Sequence, residues 1–190
     1  MVSQIKVNEI IKQSGSSITI GESGDTISIP SGATLNSAGT NTLTGISNTP
    51  AWMVRLTSSQ NVSTSTNTVI NFNNEILDSA GAYDTSNGRF TVPSGQAGKY
   101  YVYSQLMRNN FFNSRYLVKV RVNDTQMLSA EDRNTDTGGT TFQTVQVAGI
   151  LDLSVGDYVN VSLFQDSGDS SGANGDSSGS KSLFMGYKLI

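Results

Sequence analysis

The 190-residue sequence contains no cysteine and no histidine. The first absence excludes disulfides and thiolate metal sites. The second removes Ser-His-Asp and Cys-His nucleophile systems and, with cysteine also gone, zinc catalysis. Aromatic residues are missing from the first fifty positions: Trp52 is the first, and all seven Tyr and seven Phe follow it. Because aromatic side chains supply the largest buried areas, that leading segment cannot build an ordinary globular core alone. Charged residues make up 14%, against about 25% in typical soluble domains. The net charge of -3 argues against a nucleic-acid partner, since phosphate binding needs clustered Lys and Arg. No run approaches the ~20 apolar residues of a membrane span, so no membrane insertion is expected. The start lacks the basic-then-apolar pattern of a signal peptide, from which we expect folding in a cytoplasm.

What is present is Gly, Ser, Thr and Asn with spaced branched aliphatics, a β-rich composition kept soluble by hydroxyls and amides. Residues 2–12 carry Ile5 and Val7 alternating against polar neighbours, followed by Ile10 and Ile11. A short strand or extended docking segment is expected there, with a short helix possible over 7–12. A rough repeat comes next. Its anchors Ile18, Ile27, Leu35 and Leu43 recur at intervals of nine, eight and eight residues. Each unit reads as a brief strand closed by a Gly- or Pro-containing turn such as Gly21-Glu22-Ser23-Gly24-Asp25. One such strip has too few apolar residues to offset its ordering entropy. Three strips wound together bury those positions on a shared axis; the alternative is a disordered Ser/Gly linker.

From Pro50 the pattern turns to strands, expected at 52–58, 67–72, 88–92, 98–108, 115–123, 125–130, 140–152, 157–165 and 181–190. In Tyr116-Leu117-Val118-Lys119-Val120-Arg121-Val122 the valines face one way and Lys119 and Arg121 the other. Turn signals separate the runs, among them Pro93-Ser94-Gly95 and Val122-Asn123-Asp124-Thr125. Eight or more strands without a convincing helix imply an all-β sandwich or jelly roll. The division predicted is 1–13 docking segment, 14–49 slender β-repeat stalk or linker, and 50–190 head.

The head resembles the complement-1q and tumour-necrosis-factor-like jelly roll. The resemblance rests on landmarks in order: Pro50-Ala51-Trp52, Asn71-Phe72-Asn73, Gly81-Ala82-Tyr83-Asp84, Gly88-Arg89-Phe90-Thr91-Val92-Pro93, Ala97-Gly98-Lys99-Tyr100-Tyr101, Leu153-Ser154-Val155-Gly156-Asp157 and the closing Ser182–Ile190 segment. It implies a homotrimer whose C-terminal strand lies near the threefold axis, with Tyr101, Tyr103, Phe184, Tyr187 and Leu189 in the core or between subunits. Each landmark also has a physical role. Gly186, for instance, removes a side chain mid-strand, where a ring or backbone approaches closely. The chain departs from animal members in lacking a collagen stalk and in placing Trp52 where Phe is usual.

Together the aliphatic repeat and the head look like a marine tailed-phage fibre or virion protein. That likeness implies a virion location on capsid or tail, assembly in the host cytoplasm and attachment to other virion proteins through Ile5, Val7, Ile10 and Ile11. The expected activity is adhesion to a host surface glycan or protein, without catalysis. The alternatives are a purely structural capsid or tail component, or a bacterial secreted adhesion module.

The chemistry that remains open is carboxylate-based. Glu75 with Asp78 or Asp84, and Glu131 with Asp132, are the pairs a glycosidase would need; their place beside turns reads equally as solvated loop charge. Asp166, Asp169 and Asp176 lie in a Ser/Gly-rich segment and offer oxygen ligands to calcium. Their spacing does not match an EF-hand, and the other reading is a flexible low-complexity loop. No other cofactor is implied. Receptor contact is expected at loop residues Arg133, Asn134, Asp136, Asp169 and Asn174. Phe111 and Phe112 join them, or pack beneath their own loop or against a neighbouring subunit.

Overall fold

Alternating apolar residues need a second sheet to bury one face of each strand, and the chain supplies two. The computed structural model describes residues 10–11, 13–15, 17–34, 49–108, 114–134, 143–168, 171–178 and 181–189. It divides into two units, Met1–Gly45 and Ile46–Ile190. Ile5, Val7, Phe111, Phe112, Asp136 and Asp169 lie outside the described residues.

The second unit contains thirteen strands and, among the described residues, no helix. They are β1 (Ala51–Arg55), β2 (Gln60–Val62), β3 (Thr68–Val69), β4 (Asn74–Asp78), β5 (Tyr83–Asp84), β6 (Arg89–Thr91), β7 (Gly98–Met107), β8 (Ser114–Val122), β9 (Thr125–Asn134), β10 (Thr144–Leu153), β11 (Tyr158–Gln165), β12 (Ser171–Ala173) and β13 (Leu183–Lys188). One sheet runs β10-β7-β13-β1-β4 and the other β5-β6-β11-β8-β9, with β3 added on β11. All named pairings are antiparallel, which lets each sheet bury one face and leave the other outward.

Between the sheets the inward side chains close a single core. Trp52 stacks on Phe90 with ring centroids 3.7 Å apart, and the edge of Phe184 meets Trp52 at 5.5 Å. The indole lies over Gly186, where a Cβ would stand 2.3 Å from its Cη2 atom and 2.8 Å from the Tyr101 carbonyl oxygen. The bare position expected at Gly186 is thus filled by a ring. Each such large side chain contributes about 1.5–3 kcal/mol of transfer free energy.

The strands expected near 98–108, 115–123, 140–152 and 157–165 form with ends shifted by a few residues. Others differ more. The expected 52–58 strand ends at Arg55, 67–72 shrinks to Thr68–Val69, and 125–130 extends to Asn134. Four short strands were not expected: β2, β4, β5 and β12. The flexible-loop reading of 166–180 needs correction, because Ser171–Ala173 is fully buried and pairs with Gln60–Val62. Gly172 makes this possible: a Cβ there would lie 1.9 Å from the Gln60 carbonyl oxygen. Glycines that suggest mobility in the sequence serve here for close backbone packing.

In the first unit the described residues form no regular strands and are exposed. Two reverse turns are closed by backbone bonds, Asp25 N to Glu22 O at 3.1 Å and Ala33 N to Pro30 O at 3.0 Å. Asp25 Oδ2 accepts a further bond from Glu22 N at 2.8 Å. The predicted turns therefore form, while the segments between them stay extended without ladder partners. Ile18, Ile20, Ile27 and Ile29 are 48–64% exposed in the single chain.

Candidate functional site

The outward face of the β10-β7-β13-β1-β4 sheet carries a band of apolar and aromatic side chains. Register lines its side chains into rows. Met53 lies opposite Leu77 and Met185, Met185 opposite Tyr103, and Tyr103 opposite Ala148. In the next row Ala51 faces Tyr187, Tyr187 faces Tyr101, and Tyr101 faces Ile150. The rings of Tyr101 and Tyr187 meet at 5.5 Å. Ile150 is 60% and Leu77 49% exposed, so these rows are not covered within the chain.

Polar groups bound this band at both ends. On one side Tyr103 donates its hydroxyl to Gln105 Oε1 at 2.9 Å, and Gln105 Nε2 donates to the Lys181 carbonyl at 3.2 Å. On the other, exposed Lys99 and Asp152 pair at 3.3 Å. An apolar centre inside a polar rim is the anatomy of a protein–protein contact.

Of the residues expected to lie in the core or between subunits, Tyr101, Tyr103 and Tyr187 stand on this face, half-buried. Phe184 points the other way and is fully buried among the core rings. Leu189 is half-buried beyond the end of β13, donating its N–H to Lys99 O at 2.8 Å. Met53, Leu77, Ile150 and Met185 were not anticipated. The signal for Met185 was present: in Leu183-Phe184-Met185-Gly186-Tyr187 both alternating sets are apolar, the mark of a strand covered on both faces.

The other sequence candidates are scattered. Arg133 is exposed at the end of β9, 3.7 Å from Glu131, and Asn134 closes that strand. Asn174 is 8% exposed and shares its Oδ1 with the Ser59 hydroxyl, so it packs the interior instead of offering a loop contact. Ile10 and Ile11 are exposed. Asp166 accepts the Arg115 N–H at 2.7 Å and Asp176 pairs with Lys181 at 3.6 Å. Among the described residues no cluster of three acidic side chains able to hold a metal is formed.

Of the five carboxylates weighed for catalysis, Asp78, Asp84, Glu131 and Asp132 are engaged in structure, and Glu75 is exposed on β4. Asp78 accepts the N–H groups of Ala80 and Tyr83, and Asp84 those of Ser86 and the side chain of Asn87. The Ser86 hydroxyl and N–H hold Asp84 below the ordinary carboxylate range. Glu131 takes a two-pronged bond from Arg115, at 2.9 Å on each oxygen, which lowers its pKa likewise. Asp132 lies 3.6 Å from the buried Arg108, which also donates to Ser114 Oγ at 2.6 Å. Among aromatic hydroxyls, burial pushes Tyr100 up to about 12 and raises Tyr83 and Tyr116 further, which keeps all three neutral.

The described residues define an antiparallel two-sheet jelly roll with an apolar band on one outer face. A family model of the C1q domain matches residues 51–189, well over half of the sequence. The chain belongs to the C1q domain family. Solved structures with a similar fold include the globular domain of zebrafish complement 1qA (17% identity, TM-score 0.54), covering 74% of this chain and 98% of that one. Eiger TNF from S. frugiperda aligns at 16% identity and a TM-score of 0.57, over 74% and 92% of the two chains. Murine APRIL at pH 8.0 aligns at 14% and 0.52, over 73% and 98%. Among curated proteins, none matches the sequence.

Proposed function

We propose that the protein is a homotrimeric virion fibre or decoration protein, non-catalytic, whose jelly-roll head adheres to a host surface glycan or protein. The observation that carries the trimer is the uncovered band of Tyr101, Tyr103, Tyr187, Met53 and Met185. Large apolar patches with polar rims on a soluble chain mark association sites, and a second and third copy of this chain are the occupants we assign. The exposed isoleucines of residues 18–29 support the same reading for a stalk, since they find an interior only when like strips meet. Three weak sites on one head, multiplied over several fibres, give avidity without a deep pocket. Attachment to the particle falls to the segment containing Ile10 and Ile11.

Light scattering of the full chain at micromolar concentration tests the assembly; a mass of three chains is expected, and a stable monomer overturns it. Immunogold labelling of purified virions tests the location, and absence of label on capsid and tail overturns that part. A trimer that labels virions yet binds no host cells leaves the structural role and removes the adhesive one.

A further inference from the structure

The outward face of the other sheet has the opposite character. Along β8 the outward positions are Arg115, Leu117, Lys119 and Arg121, and Arg89 joins them across the sheet: Arg89 and Arg121 both stand opposite Asn160. A chain of net charge -3 with twelve Lys and Arg thus gathers five of them on one face, counting Arg133, which stands opposite Arg115 on β9. From Arg115 to Arg121 the column runs about 20 Å at ~3.3 Å per residue. Its cross-strand neighbours on β11 are uncharged: Asn160, Ser162 opposite Lys119, and Phe164 opposite Leu117.

The neutralisation of this column is uneven. Asp124 pairs with Arg89 and Arg121, each at 3.6 Å, and Glu131 pairs with Arg115. Lys119 sits between these groups and donates to a neutral acceptor, Asn67 Oδ1, at 2.8 Å; among the described residues it forms no ion pair. Desolvation first, then Arg121 and Arg115, lower its pKa, as expected of an ammonium set between like charges. Two cations lie near the half-buried Phe164 ring, Arg115 at 5.7 Å and Lys119 at 5.8 Å from its centre. An aromatic ring near cations offers a stacking surface for a sugar beside donors for its acidic substituent.

We propose that this face binds an acidic saccharide, one bearing carboxylate or sulfate groups, with Lys119 as the principal anion contact and Phe164 as the ring it lies against. The site is distinct from the apolar band on the opposite sheet and does not depend on the trimer.

The test is retention of the full-length protein at low salt on sulfated glycosaminoglycan, on a polyuronic acid and on neutral dextran. Retention on at least one acidic resin, lost as salt rises, and none on dextran is expected. Sulfated resin alone assigns the ligand to sulfate, the polyuronic acid alone to carboxylate, and both to either acidic group. Lys119→Glu should weaken binding by about tenfold or more, whereas Lys119→Arg keeps it. Lys12→Glu, an equal charge change in the leading segment, should leave it unchanged. If Lys119→Glu folds poorly, Lys119→Gln serves, since it removes the charge without reversing it. Equal weakening by Lys12→Glu, retention on dextran, or passage through both acidic resins overturns the proposal. Light scattering on the same samples separates loss of sugar binding from loss of assembly.

Discussion

Trp52 and Gly186 are one contact seen from two ends of the chain. The indole occupies the volume that any Cβ at position 186 would need, and the ring is further held against Phe90. Gly186→Ala is therefore expected to destabilise the head by about 1–3 kcal/mol through overpacking, read as a lower midpoint in denaturant titration. The bare position at 186 was legible in the sequence, because a glycine inside an apolar strand calls for a close neighbour. That the neighbour is Trp52 was not, since 134 positions separate them. Asn174 shows the reverse. Its polar side chain amid Ser and Gly suggested an exposed loop, yet the bond between Ser59 Oγ and Asn174 Oδ1 holds it inside.

At the scale of elements, the β8–β9 hairpin has the clearest local cause. Asn123 and Asp124 both take positive φ, 49° and 62°, the two-residue geometry that suits the twist of antiparallel strands. Asp124 then ties the hairpin to the rest of its sheet. Its carboxylate accepts from the Tyr158 hydroxyl at 2.7 Å and from Asn160 Nδ2 at 3.2 Å, and it pairs with Arg121 and Arg89. Those hydrogen bonds first, and the arginines after them, hold its pKa below the ordinary value. A depressed folded-state pKa gives stability that is present above the unfolded carboxylate value, about 4, and is lost as pH falls through the folded one. Amide protection factors in residues 121–126, which correct for the intrinsic slowing of exchange in acid, should fall on acidification over that range, and Asp124→Asn should flatten the response.

β12 is the element the sequence hid. Its three small residues are entirely buried, and Gly172 admits the Gln60 carbonyl where a side chain would collide with backbone. Gly172→Ala should expel the strand and make residues 169–180 sensitive to protease, with the core strands still folded. Ser/Gly composition is ambiguous between mobility and close packing, and only the presence of β2 decides between them.

For the whole molecule, the two outer faces divide the work. One sheet presents an apolar aromatic band and the other a cationic column, so the proposed association and the proposed ligand contact would not compete for surface. Met185→Arg places a charge at the centre of the apolar band without entering the core, since Met185 faces outward beside Met53 and Tyr103. The expected result is a fall from three chains to one by light scattering, with a folded head by circular dichroism. An unchanged mass would move the interface elsewhere. The all-β class and the jelly-roll resemblance were both readable before any coordinates, because alternation and turn residues act within a few positions.

The residues alone thus settled that cysteine and histidine chemistry is closed, where most long strands run, and that an aromatic-free leading segment precedes an aromatic-rich one. Pairing settled the rest. Residues 51–55 meet 183–187, and Arg89 shares a row with Arg121 across Asn160. Neither follows from the local pattern, because alternation determines which side chains share a face but not which distant strand lies beside them. The surfaces that matter for function are made of such rows, so they exist only once the sheets have closed.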